Sequence, residues 1–87
     1  MPYINQDDRP PINQLVQPLI EHLRSLPTDQ QDGALNYAVT KVLKNLYPPK
    51  YFNYNRAMGV LNCIQAEFYR RDIAPYEDQK IIENGDV

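Results

Sequence analysis

Eight prolines in 87 residues decide where the helices of this chain can begin and end. Proline lacks a backbone N–H and its ring clashes with the preceding turn, so it fits the first turn of a helix or stops one. Pro10-Pro11, Pro27, Pro48-Pro49 and Pro75 mark out segments, and the longer ones carry apolar residues at three- and four-residue steps. No segment alternates apolar and polar like a strand, and there is no internal repeat. The expected fold is all-α: a small bundle of three main helices plus a short C-terminal helix or extended tail, in one domain over residues 1–87.

Residues 1–10 read as a polar, extended N-terminal arm. The first helix is expected over 11–26, with Ile12, Leu15, Val16, Leu19, Ile20, Leu23 and Leu26 on one face. Pro18 falls on the polar side of that pattern, where a kink and a break are both open readings. Thr28 and Gln31 have capping-box spacing, and Asp29 and Asp32 suit a helix N-terminus. Gly33 weakens that first turn, so the second helix is expected over 32–47, with Leu35, Val39, Val42 and Leu46 as its stripe. Asn53 is read as the cap of a third helix over 53–72. Pro75 then interrupts, and a short helix over 75–84 ends at Asn84-Gly85.

Composition narrows the function classes. A single cysteine, Cys63, rules out an intramolecular disulfide. The N-terminus has neither a basic nor an apolar targeting region, and no uncharged run, 57–66 among them, is long enough to span a bilayer. The chain therefore reads as soluble and cytoplasmic, with no membrane partner. Its net charge of −2 does not point to nucleic-acid binding by the whole molecule.

That small net charge conceals a strong separation. Residues 33–66 contain no acid at all, but hold Lys41, Lys44, Lys50, Arg56 and four of the seven tyrosines. Residues 1–32 carry five acids against two basic residues, and residues 67–87 carry six against three. On the second helix, Tyr37, Lys41 and Lys44 fall on one strip away from the apolar stripe. Lys50, Tyr51, Tyr54 and Arg56 follow. Cations beside aromatic rings suit a phosphate-bearing ligand through charge and stacking, and equally suit an acidic protein surface. A solvated helix face is the plain alternative.

The third helix has two distinct faces. Ala57, Val60, Leu61, Ile64 and Phe68 form the main apolar face, expected to pack on the chain's own helices. Nearly opposite lie Gly59, Cys63 and Ala66, all small and three or four residues apart. Glycine inside a helix costs about 1 kcal/mol relative to alanine, so a close backbone approach would explain it. With Met58 and Asn62 beside them, these residues are read as an oligomer interface. The competing reading is that the first two helices cover both faces.

Catalytic chemistry finds little support. One histidine, one cysteine and one serine leave no nucleophile–base–orienter set beyond a possible His22–Ser25 pair. Cys-x-x-Cys, His-x-x-x-His and calcium-loop patterns are absent, and the three glycines are not grouped for a phosphate loop. No catalytic residue, metal or cofactor is expected.

Several words in the C-terminal half carry a resemblance. Asn36-Tyr37 with Thr40, Gly59-Val60-Leu61-Asn62-Cys63, Glu67-Phe68-Tyr69-Arg70-Arg71, Ala74-Pro75-Tyr76-Glu77-Asp78 and Glu83-Asn84-Gly85-Asp86-Val87 are similar to a family of small uncharacterised proteins of bacteria, archaea and phages. Met1-Pro2-Tyr3-Ile4 and Asp8-Arg9 agree with it weakly. The resemblance implies a self-contained small domain and lends no catalytic or binding residue. The expectation is a non-enzymatic helical module that binds itself, as a dimer or higher oligomer, or another protein. The alternative is a homo-oligomeric binder of a nucleotide or other phosphate-bearing ligand, with nucleic acid a remoter partner.

Overall fold

A computed structural model describes residues 4–87. Among them every regular element is helical. A 3-10 turn at Gln6–Asp8 leads into α1 (Arg9–Ser25), then α2 (Thr28–Leu46), α3 (Tyr51–Phe68), a π-helical turn (Tyr69–Ile73) and α4 (Ala74–Asn84). The described chain divides into two units, one ending at Leu46 and the other comprising Tyr47–Val87.

In the first unit, the expected extended arm is largely helical where it is described; Met1–Tyr3 lie outside the described residues. The Arg9 guanidinium donates to the Ile4 carbonyl from Nε at 3.1 Å and Nη2 at 3.0 Å, which ties the arm down. Pro10 and Pro11 occupy the first turn of α1, where no intrahelical donor is needed. The helix then passes through Pro18 without a break. The missing N–H leaves one carbonyl of the exposed side without its usual donor, and water can supply it. Leu26 is extended at φ −81° and ψ 150°, as a residue before proline prefers, and ends α1.

α2 begins at Thr28, four residues earlier than expected. Gln30 N–H donates to the Pro27 carbonyl at 2.9 Å, and Gln31 Nε2 reaches the Leu26 carbonyl at 3.2 Å. Gln31 thus closes the corner rather than forming a box with Thr28. Gly33 lies inside the helix, because its modest propensity cost is smaller than the loss of a hydrogen-bonded turn.

The second unit is one helical run from Tyr51 to Asn84. Phe68, Tyr69, Ile73 and Ala74 all keep right-handed helical dihedrals, so Pro75 interrupts nothing. Pro75 would crowd the carbonyl four residues back in an ordinary α-helix. Here the preceding turn is widened: Ala74 N–H bonds the Tyr69 carbonyl, five residues back. At 1.5 Å per residue the run is about 50 Å long. Lys50, not Asn53, is its cap, and Asn53 Nδ2 instead donates to the Pro48 carbonyl at 3.1 Å. At the far end Gly85 has φ +88° and ψ 151°, a region reserved for glycine, and its N–H bonds the Ile81 carbonyl at 2.8 Å.

Burial is sparse. Tyr47 and Ala57 are the buried apolar residues among those described, and no large side chain is fully buried. The face of α3 expected to be covered is covered only in part. Ala57 is buried and Val60 and Leu61 are half-buried, while Ile64 and Phe68 are exposed. A single run of helix has no neighbour within its own unit to pack against, beyond the knee at its start.

Candidate functional site

The residues singled out as a ligand or partner surface fall into two groups. Tyr37, Lys41 and Lys44 lie on α2. The Tyr37 ring is exposed, and Lys41 Nζ sits 5.7 Å from its centroid, a cation over an aromatic face. Thr40 and Asn45 complete a shallow groove with these three side chains. Thr40 Oγ1 donates to Asn36 Oδ1 at 3.2 Å and Asn45 Nδ2 to the Lys41 carbonyl at 2.8 Å. Every wall of this groove comes from one helix, so it is open on its far side. Its ammonium groups and hydroxyl could meet an anion at the surface, but could not enclose one.

Lys50, Tyr51, Tyr54 and Arg56 belong to the second unit. Lys50, Tyr51 and Tyr54 are exposed. Arg56 is engaged: its guanidinium lies 5.3 Å from the Tyr47 centroid and 5.9 Å from that of Phe52, and Nη1 donates to Asn53 Oδ1 at 3.3 Å. With Asn53 holding the Pro48 carbonyl, these residues lock the knee before α3. A planar cation beside two rings contributes packing as well as charge, so the principal role of Arg56 is structural.

The small-residue face of α3 is open within its own unit. A Cβ added at Gly59 would meet nothing within 4 Å. Met58, Asn62 and Ala66 are exposed and Cys63 is half-buried, with no disulfide partner. No close backbone crossing inside the described chain accounts for Gly59. The suggested His22–Ser25 pair does not form through the imidazole: Ser25 Oγ donates to the His22 backbone carbonyl at 2.6 Å, satisfying the end of α1.

A contact that sequence reasoning missed lies across the π-turn. Tyr69 Oη donates to Glu77 Oε1 at 2.9 Å. The hydrogen bond and the negative charge of Glu77 raise the phenol above its usual pKa of 10.0, with smaller contributions from desolvation and from Asp78. One turn further, Lys80 Nζ lies 5.5 Å from the Tyr76 ring centroid and 3.3 Å from Glu83 Oε2. The signal available in the sequence was Pro75 set inside an otherwise helical pattern.

An all-helical chain with open apolar faces and no enclosed cleft in its described part defines the class. The chain belongs to the family described as a domain of unknown function (DUF6899), whose model matches residues 1–87. No curated protein and no solved structure matches it. No helix among the described residues is long and apolar enough to cross a membrane.

Proposed function

We propose that this protein is a non-enzymatic self-associating module whose hydrophobic core is completed between copies of the chain. One observation carries the reading: large apolar side chains recur at helical spacing on every helix and remain exposed, among them Leu15 at 79%, Met58 at 57%, Phe68 at 59% and Ile82 at 77%. Helices in proteins owe most of their stability to packing of an apolar face. Contiguous apolar surface beyond a few hundred Å² marks an association site. At about 25 cal/mol per Å² removed from water, covering such faces is a large stabilising term for so small a chain. Association would also build the bundle that these helices are patterned for, and the protein would act in the cytoplasm as a structural or interaction component.

Both faces of α3 are candidates for contact: the small one with Gly59, Asn62, Cys63, Ala66 and neighbouring Met58, and the large one with Leu61 and Phe68. Light scattering across a concentration series tests the reading. A mass above the 10.2 kDa of one chain is expected, and a monomer persisting into the high micromolar range overturns it.

A second reading rests on the groove of Tyr37, Thr40, Lys41, Lys44 and Asn45. Its uncompensated positive charge favours a phosphate-bearing ligand such as a nucleotide, held by Lys41 and Lys44 at the surface of an oligomer. Lys50, Tyr51, Tyr54 and Arg56 would extend that basic, tyrosine-rich character.

A further inference from the structure

The helical run from Tyr51 to Asn84 carries its charges in an unfavourable order. Lys50 and Arg56 stand near its N-terminus, with no acid before Glu67. From Glu67 to Asn84 five acids face three basic residues. A helix already bears partial positive charge at its N-terminus and partial negative charge at its C-terminus. The side chains of this one add to that dipole instead of opposing it. The Glu67–Arg70 and Lys80–Glu83 pairs offset part of it within the helix, and an antiparallel neighbour of the same sequence would offset the rest. Each positive half would then lie beside a negative half.

The apolar pattern has the same symmetry. In an ordinary α-helix, residues seven apart fall about 20° apart around the axis and residues eight apart about 80°. The π-turn absorbs one extra residue, which is why Tyr69 meets Glu77, eight positions on, at 2.9 Å. The same extra residue brings Ile73 into line with Tyr54, Met58, Leu61 and Phe68, and leaves Tyr76 at the edge of the stripe. Five of these six side chains are more than a third exposed, and Leu61 is half-buried. Gln65 sits at the middle of the stripe. Tyr54 and Tyr76 lie equally far from it along the chain, and Met58 pairs with Ile73, and Leu61 with Phe68, to within one residue.

Resting on the self-association reading above, we infer that two copies pair antiparallel along α3 and α4, with the two-fold axis passing near Gln65. A two-fold contact brings the same patch of each copy together, so a stripe symmetric about its own centre meets its complement at every level. A parallel pair would align like-charged halves and is disfavoured by the field that favours the antiparallel one. The π-turn is what brings Ile73 into the stripe, in keeping with the frequent placement of such turns at functional sites.

Single-cysteine variants in a Cys63→Ser background test this under mild oxidation. Gln65→Cys should form a disulfide with itself. Tyr54→Cys mixed with Tyr76→Cys should give the mixed dimer as the predominant product, with little homodimer of either. Should either tyrosine change cost the fold, as read by loss of helical circular dichroism, Met58→Cys mixed with Ile73→Cys reads the same geometry. Homodimers of Tyr54→Cys and of Tyr76→Cys would show a parallel pair and overturn the inference, although self-association stands. A dimeric mass with no cross-link at any of these positions places the contact on another face and also overturns it. A monomeric mass removes the inference together with the reading beneath it.

Discussion

Tyr69 donates its phenolic proton to Glu77 at 2.9 Å across a widened helical turn, eight residues apart in sequence and adjacent in space. The bond favours the neutral phenol, so the tyrosine's folded pKa lies above the unfolded value near 10. Its contribution to the folded state is therefore complete below pH 10. It is lost as pH rises through the folded value. Glu77→Gln removes the charge and should bring Tyr69 back toward 10, seen as earlier ionisation of one tyrosine in an ultraviolet titration at constant helix content. An unchanged titration would mean that the bond does not persist in solution.

Pro75 is the physical reason for the π-turn. Pro75→Ala removes the ring clash and lets an ordinary turn form. Residues beyond it should then rotate by about 100° relative to α3. The Tyr69–Glu77 bond should be lost, with the phenol titrating near its ordinary value, and association should weaken although helix propensity improves. A variant that associates as well as the parent would show that the widened turn is not needed for the interface.

The helices were legible in the sequence because period and proline placement both report on the local backbone. Where α2 begins was not, since Gly33 argues against a helix while the corner is settled by bonds to the Leu26 and Pro27 carbonyls, from Gln31 Nε2 and the Gln30 N–H. Passage through Pro18 and Pro75 turned on what the lost donor leaves behind: an exposed carbonyl in one case, a widened turn in the other. The greatest gap concerns burial. Apolar spacing identifies the face of α3 that seeks cover, Ala57 through Phe68, but it does not say which surface supplies that cover. The candidate residues were legible as types, not as roles. Arg56 reads as a ligand cation in sequence, yet its guanidinium lies over the Tyr47 and Phe52 rings.

Gly59 separates the two faces of α3. A methyl group there meets nothing within 4 Å among the described residues. With the interface on the Leu61–Phe68 side, Gly59→Ala should stabilise the protein by up to about 1 kcal/mol, the ordinary gain in a helix interior. Destabilisation, measured by chemical denaturation, would instead place a second backbone against the small-residue face.

Phe68 should behave as a core residue despite its exposure in one chain. Phe68→Ala is expected to cost the assembly about 2 kcal/mol or more, as buried aromatic anchors do at interfaces. For a solvated side chain the effect should stay within about 0.5 kcal/mol. Dissociation constants of parent and variant by analytical ultracentrifugation decide between them.

The phosphate reading makes a separate demand. If the α2 groove binds such ligands, Lys41→Glu with Lys44→Glu abolishes binding of a nucleotide panel and leaves helix content intact. Affinity in the parent should fall with added salt. Unchanged or salt-insensitive binding rejects the groove as the site.

The most direct test of a core completed between copies is the thermal midpoint of the parent protein, followed by circular dichroism across a wide range of concentrations. Anything that binds the folded chain and not the unfolded one raises its apparent stability by mass action. The account predicts a midpoint that climbs with protein concentration, together with a solution mass above 10.2 kDa. A cooperative midpoint that does not move with concentration, in a protein of monomeric mass, would contradict it.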